Sequence, residues 1–121
     1  MSTNVLICDD SNLARKQVLR SLPESLSNNV QLAKNGEEAL EILRSQSMDV
    51  LFLDLTMPVI DGLGVLQAMQ DENISLPVFV ISADIQPEMQ SRVLELGAKA
   101  FLRKPVQQTT LNENLQLHGL L

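Results

Sequence analysis

Five polar side chains stand at or just beyond the ends of apolar runs, and together they suggest a chemistry. Asp9 and Asp10 follow Val5–Cys8, Asp54 follows Val50–Leu53, Ser82 follows Pro77–Ile81, and Lys104, with Pro105, comes shortly after Ala100–Leu102. If these runs are parallel strands, the residues past their carboxyl ends share one rim, where open parallel sheets place their functional crevice. Three carboxylates from neighbouring strands, roughly 5 Å apart, repel one another enough to raise a pKa or to require a cation. The chain has one Cys and one His, too few soft ligands for zinc, so a metal here must be held by oxygen. Mg²⁺ fits such a site, since it takes one or two carboxylates together with waters and phosphate oxygens. Asp54 could then attack phosphorus, its charge offset by Mg²⁺ on one side and the Lys104 ammonium on the other, with Ser82 donating to a phosphoryl oxygen. Taken singly, each residue has a plainer reading: Asp9 as a helix cap, Ser82 as a capping hydroxyl, Lys104 as a solvated charge. Their joint placement on one rim favours function.

The elements that must position these residues are legible as pattern. A fifth run, Val30–Ala33, joins the four above. Apart from it, where Gln31 interrupts, the runs do not alternate, which suits strands buried on both faces of a parallel sheet. Helical stripes lie between them: Ala14, Val18 and Leu22 with Leu19 adjoining; Ala39, Leu40 and Leu43; Leu63, Leu66 and Met69; Met89, Val93 and Leu96. Pro87 and Glu88 read as the first turn of the fourth helix, and Gly97 as its stop. Thr110 with Glu113 reads as a capping box opening a fifth helix that carries Leu111 and Leu115. Five strands alternating with five helices, with no repeat or linker, predict one α/β domain over residues 1–121, with right-handed crossovers placing helices on both faces.

With 121 residues, 45% of them hydrophobic, the chain can bury a core as one domain. No apolar run approaches the roughly 18 to 20 residues of a membrane span, and no signal peptide is evident, so a soluble, cytoplasmic protein is expected. A formal charge of −6 disfavours nucleic acid and anionic membranes as partners. The lone Cys8 excludes an internal disulfide, and three Phe with no Trp or Tyr weaken readings that depend on aromatic stacking.

The ordered motifs closely resemble the receiver domains of two-component response regulators, across essentially the whole chain. They are Val5-Leu6-Ile7-Cys8-Asp9-Asp10-Ser11, Asn35-Gly36-Glu37-Glu38-Ala39-Leu40, Asp49 through Asp54, Met57-Pro58, Asp61-Gly62, Pro77 through Ser82, Gly97-Ala98-Lys99-Ala100-Phe101 and Lys104-Pro105. The resemblance implies a flavodoxin-like (βα)5 doubly wound fold with strand order 2-1-3-4-5, similar to chemotaxis-type single-domain receivers. It implies that Asp54 accepts a phosphoryl group from a phosphohistidine on a sensor histidine kinase or phosphotransfer protein. Asp10 would bind Mg²⁺ directly, Asp9 mainly through water, and the Thr56 carbonyl would complete the protein ligands. Ser82 and Lys104 would meet the phosphoryl group, Phe101 would be the switch aromatic, and Thr56 and Asp84 would tune dephosphorylation. The output would go to a partner protein or a fused effector domain through the face of the fourth helix, fifth strand and fifth helix. A cis peptide is expected between Lys104 and Pro105.

Some positions depart from the subfamilies. Lys99 and Ala100 replace the acidic pair that many DNA-binding regulators carry before the switch aromatic, which counts against the symmetric dimer built on that face. Ser82 replaces threonine but keeps the hydroxyl. A phosphatase using Asp54 is the alternative enzyme, disfavoured because Thr56 stands where such enzymes commonly place a general acid. A pseudo-receiver is disfavoured by the complete acidic, hydroxyl and lysine set. The apolar finish of Leu117, Leu120 and Leu121 favours a domain excised from a longer protein over a stand-alone regulator. Cys8, Phe52, Phe79, Met69 and Met89 read as packing residues, Val59 and Ile60 as core packing before partner contact, and His118 as a surface residue.

Overall fold

The computed structural model describes residues 3–121. Strands β1 (Asn4–Cys8), β2 (Asn29–Ala33), β3 (Val50–Leu53), β4 (Val78–Ser82) and β5 (Ala100–Arg103) form one parallel sheet in the order β2-β1-β3-β4-β5. Helices α1 (Asn12–Ser21), α2 (Gly36–Ser45), α3 (Gly62–Asp71), α4 (Pro87–Glu95) and α5 (Gln108–Leu117) alternate with them. A single 3-10 turn, Glu24–Leu26, lies between α1 and β2. This is the expected doubly wound architecture and strand order.

The two faces of the sheet divide the core. Because strand side chains alternate, Leu6, Cys8, Leu51, Leu53, Val78 and Val80 meet α2, α3 and α4 through Leu40, Leu66 and Val93. Val5, Ile7, Val50, Phe52, Phe79 and Ile81 meet α1 and α5 through Val18, Leu111 and Leu115. The Phe52 and Phe79 rings stack at 5.7 Å within this second layer, an aromatic pair of the offset kind that adds to area burial. Only β1, β3 and β4 are buried almost throughout. The edge strands β2 and β5 are less covered: Leu32 of β2 is exposed, and in β5 Ala100 and Phe101 are only half-buried, short of the burial on both faces expected of the Ala100–Leu102 run.

Three helices begin with side-chain caps. Ser11 Oγ accepts from the Ala14 N–H, Asn35 Oδ1 from Glu38 and Asp61 Oδ1 from Gly64, each satisfying an otherwise unpaired donor. Pro87 opens α4 as expected, and Gly97 follows its end at φ 104, a conformation that favours glycine. The capping box at Thr110 and Glu113 is not formed. Helix α5 starts earlier, with Gln107 at the cap and no side-chain cap bond. The Leu111 N–H donates to the Gln107 carbonyl at 2.9 Å, so the backbone ladder already runs through Thr110.

Candidate functional site at the carboxyl edge of the sheet

The acidic group is assembled by backbone ladders. Register pairs Cys8 with Ala33 on one side and Leu53 on the other, and the next residues continue it: the Asp9 N–H donates to the Ala33 carbonyl at 3.1 Å and the Asp54 N–H to the Cys8 carbonyl at 2.9 Å. Strand pairing therefore forces Asp9 and Asp54 side by side. Asp9, Asp10 and Asp54 each offer a carboxylate oxygen, all within 4.8 Å of one another. Asp9 and Asp54 are buried, whereas Asp10 is open to solvent.

On the other side, Ser82 pairs with Arg103, and the Lys104 N–H donates to the Ser82 carbonyl at 3.0 Å, carrying the β4–β5 ladder one residue further. The Lys104 ammonium lies 2.8 Å from Asp9 Oδ2 and 3.2 Å from Asp54 Oδ1, so one cation bridges two of the three acids. The Lys104–Pro105 peptide is cis, as expected. Burial and then repulsion from Asp9 hold the Asp54 pKa above the ordinary carboxylate range; Lys104 and the Thr56 backbone amide offset only part of this. Burial works against the Lys104 charge, but its bonds to Asp9 and Asp54 outweigh that and raise its pKa.

The remaining expected residues are in different states. Ser82 is buried at the end of β4, and its Oγ accepts from the Asp84 N–H at 3.0 Å. Asp84 Oδ1 in turn accepts from the Gln86 N–H at 3.1 Å, shaping the approach to α4. The Thr56 side chain is exposed. Phe101 is half-buried in β5, beside Val80, and packs on the layer that contains α2, α3 and α4.

Three features were not anticipated. Arg15 is buried, and its guanidinium donates to the Asp9 carbonyl oxygen at 2.6 Å and to Asn12 Oδ1 at 3.2 Å. Its signal was present, since Arg15, Val18 and Leu22 have core-face spacing; charge alone kept it off the stripe. Val59 is 72% exposed at φ 70, contrary to the expected core packing, while Ile60 does pack on the core. The Ile60 N–H donates to the Pro58 carbonyl at 2.9 Å, closing a γ-turn about Val59. His118 is half-buried and meets the Phe79 ring edge-on at 5.6 Å, which makes it a packing residue more than a surface one. Cys8 is the packing residue expected: Met57 Sδ lies 3.3 Å from its Sγ, and burial first, then Asp9 and Asp54, push the thiol pKa up to about 12.

Three Asp carboxylates, two of them bridged by Lys104, thus stand with the buried Ser82 at the carboxyl edge of a 2-1-3-4-5 sheet. The family model described as the response regulator receiver domain matches residues 5–116. Response regulator MprA of Mycobacterium ulcerans is 36% identical over 105 residues, covering 87% of this chain and 45% of that regulator. The peroxide stress-activated histidine kinase mak3 of Schizosaccharomyces pombe is 34% identical over 119 residues, 92% of this chain and 5% of the kinase. The chain thus spans less than half the length of these relatives. Among solved structures, a chain of the CheX–CheY–BeF3–Mg complex from Borrelia burgdorferi superimposes with a TM-score of 0.88 at 29% identity, covering 96% of this chain and 89% of that one. Chemotaxis response regulator CheY4 of Vibrio cholerae gives 0.82 at 30% identity, with 97% and 98% covered. No helix among the described residues is long and apolar enough to cross a membrane. The match over nearly its whole length establishes that this chain belongs to the response regulator receiver-domain family.

Proposed function

We propose that residues 1–121 form one receiver unit that accepts a phosphoryl group on Asp54 from a phosphohistidine of a sensor histidine kinase or phosphotransfer protein. The observation that carries this reading is the Lys104 ammonium, bonded to both Asp9 and Asp54 with Asp10 alongside. An Asp54 oxygen attacks phosphorus as the bond from phosphorus to the imidazole nitrogen breaks; the nitrogen keeps the electron pair, and the imidazole leaves neutral or takes a proton from solvent. Asp54 is held with its charge partly uncompensated, which suits a group that gains a cation and a phosphoryl partner.

The all-oxygen donor set fits Mg²⁺, with Asp9, Asp10, Asp54 and the Thr56 carbonyl as its protein ligands. When bound, Mg²⁺ neutralises charge that builds on the phosphoryl oxygens. Lys104 does the same from the other side, and the Ser82 hydroxyl, now accepting from Asp84, retains a proton to donate once it turns toward the phosphoryl group. Phe101 then shifts inward beside β5, remodelling the α4–β5–α5 face that addresses an output protein or fused effector domain. Thr56 and Asp84 set the lifetime of the phosphoryl group. Leu13, Val59 and Ile85 are exposed on segments that follow β1, β3 and β4, a broken apolar collar suited to a cytoplasmic protein partner.

An Asp-nucleophile phosphatase is the weaker reading, because the exposed Thr56 offers no general acid. Incubation with labelled acetyl phosphate and Mg²⁺ tests the proposal. The expected result is an acyl phosphate approaching one per chain, absent from Asp54→Asn. Rapid catalytic turnover of the donor would identify a phosphatase, and an unlabelled chain would identify a receiver that works without phosphorylation.

A further inference from the structure

Arg15 presents a physical puzzle. Its side chain is 7% exposed, yet among the described residues no carboxylate lies within ion-pair reach of it. A buried cation without a paired anion is unfavourable unless its donors are satisfied and a nearby negative field supports it. The donors meet the Asp9 carbonyl and Asn12 Oδ1, and the field is that of the adjoining acidic triad.

The place of that carbonyl explains what the arrangement does. Every other polar group of Asp9 is already held: its N–H by the Ala33 carbonyl, Oδ1 by the Ser11 N–H at 2.9 Å, and Oδ2 by Lys104. The carbonyl belongs to the peptide that leads into Asp10, whose own carboxylate has no side-chain hydrogen bond or ion pair among the described residues. Rotation of this peptide would swing Asp10 away from Asp9 and Asp54. Arg15, seven residues before the buried Leu22 on the core-facing side of α1, is the side chain that holds this carbonyl.

We propose that Arg15 is a positioning residue for divalent-cation binding: by clamping the Asp9 carbonyl it fixes the Asp9–Asp10 peptide and so aims the Asp10 carboxylate into the triad. This rests on the reading of the triad as the Mg²⁺ site of a receiver. Arg15 touches neither metal nor phosphoryl group; it acts through Asp10. Its charge and its geometry have opposite consequences. As a cation it competes with a metal ion for the field of the acids, so losing the charge alone would tighten binding; as a clamp it preorganises a ligand, so losing the bonds weakens binding.

Mg²⁺ titrations followed by the backbone amide NMR signals of Asp10, Ser11 and Asp54 separate these effects in wild type, Arg15→Met and Arg15→Lys, with urea unfolding measured alongside. Lys keeps the charge and loses the two-pronged hold on Asp9 and Asn12. The proposal expects affinity for Mg²⁺ to fall in both variants, by about tenfold or more, as when partners behind metal ligands are removed. Tighter binding in Arg15→Met with wild-type affinity in Arg15→Lys would overturn it in favour of a purely electrostatic role. Unchanged affinity in Arg15→Lys, with only a lowered urea midpoint, would overturn it in favour of a fold-only role. If Arg15→Met does not fold, Arg15→Lys decides the matter. Wild-type signals that do not respond to Mg²⁺ at all would instead overturn the receiver reading itself, and this inference with it.

Discussion

Asp54 is held against its own ionisation, chiefly by burial and then by Asp9. An acid whose pKa is raised on folding binds its proton more readily in the folded than in the unfolded chain, so ionising it subtracts from stability. That subtraction is absent below the ordinary aspartate pKa of about 4, grows as pH rises through the folded pKa, and persists above it. Asp54→Asn, neutral throughout, is therefore expected to exceed wild type in stability at pH 7 without metal, with the difference shrinking as pH falls toward that lower limit. Urea unfolding in chelator across this range checks it, and a variant no more stable at pH 7 would contradict the electrostatic picture. At this scale, the sequence disclosed the residues brought to the rim, because each follows an apolar run. It did not disclose that Lys104 already bridges two acids or that Arg15 is buried among carbonyls, since both depend on how loops close over the strand ends.

Strands announced themselves by composition, and β3 spans the residues its apolar run marks. Edge position was not visible in β2 and β5, because the sequence of a strand does not say which neighbours it will lack. The strand order came through resemblance to the receiver family; periodicity would have allowed others. The misplaced start of α5 has a related cause: Thr110 and Glu113 satisfy a local capping pattern, but the backbone was already helical one turn earlier. The loop between β3 and α3 holds a stronger conflict. Val59, β-branched, stands at φ 70 because the γ-turn directs the Ile60 carbonyl onto the Gly36 N–H at 3.2 Å, tying this loop to the start of α2. A Cβ on Gly36 would collide with that same oxygen, so the approach requires glycine. Strained backbone of this kind costs on the order of 1 to 3 kcal/mol, and Asn tolerates positive φ better than Val. Val59→Asn is thus expected to raise stability by about 1 kcal/mol, read as a higher urea midpoint at unchanged m; a lower midpoint would show that the exposed Val side chain stabilises the loop more than its backbone strains it.

Across the whole molecule, the site and the proposed output face are joined by β4 and β5. Ser82 ends β4 and Lys104 follows β5, so drawing both toward a phosphoryl group on Asp54 would pull on β5, which carries Phe101, and on its neighbour β4. Phe101 is half-buried, so part of its ring still faces solvent. The two arrangements need differ by only a few kcal/mol for phosphorylation to redistribute them. Beryllofluoride with Mg²⁺ is expected to shift the NMR signals of Phe101 and of Met89 through Leu96 together with those around Asp54; changes confined to the acidic triad would contradict the coupling. The account as a whole rests on Asp54 being the acceptor, and chemical mapping of the phosphorylated residue tests that most directly. After reaction with acetyl phosphate and Mg²⁺, borohydride reduces an aspartyl phosphate to homoserine, which mass spectrometry of peptides locates. The account predicts homoserine at position 54 and nowhere else; homoserine at position 9 or 10, or none in a chain that has retained phosphate, would contradict it.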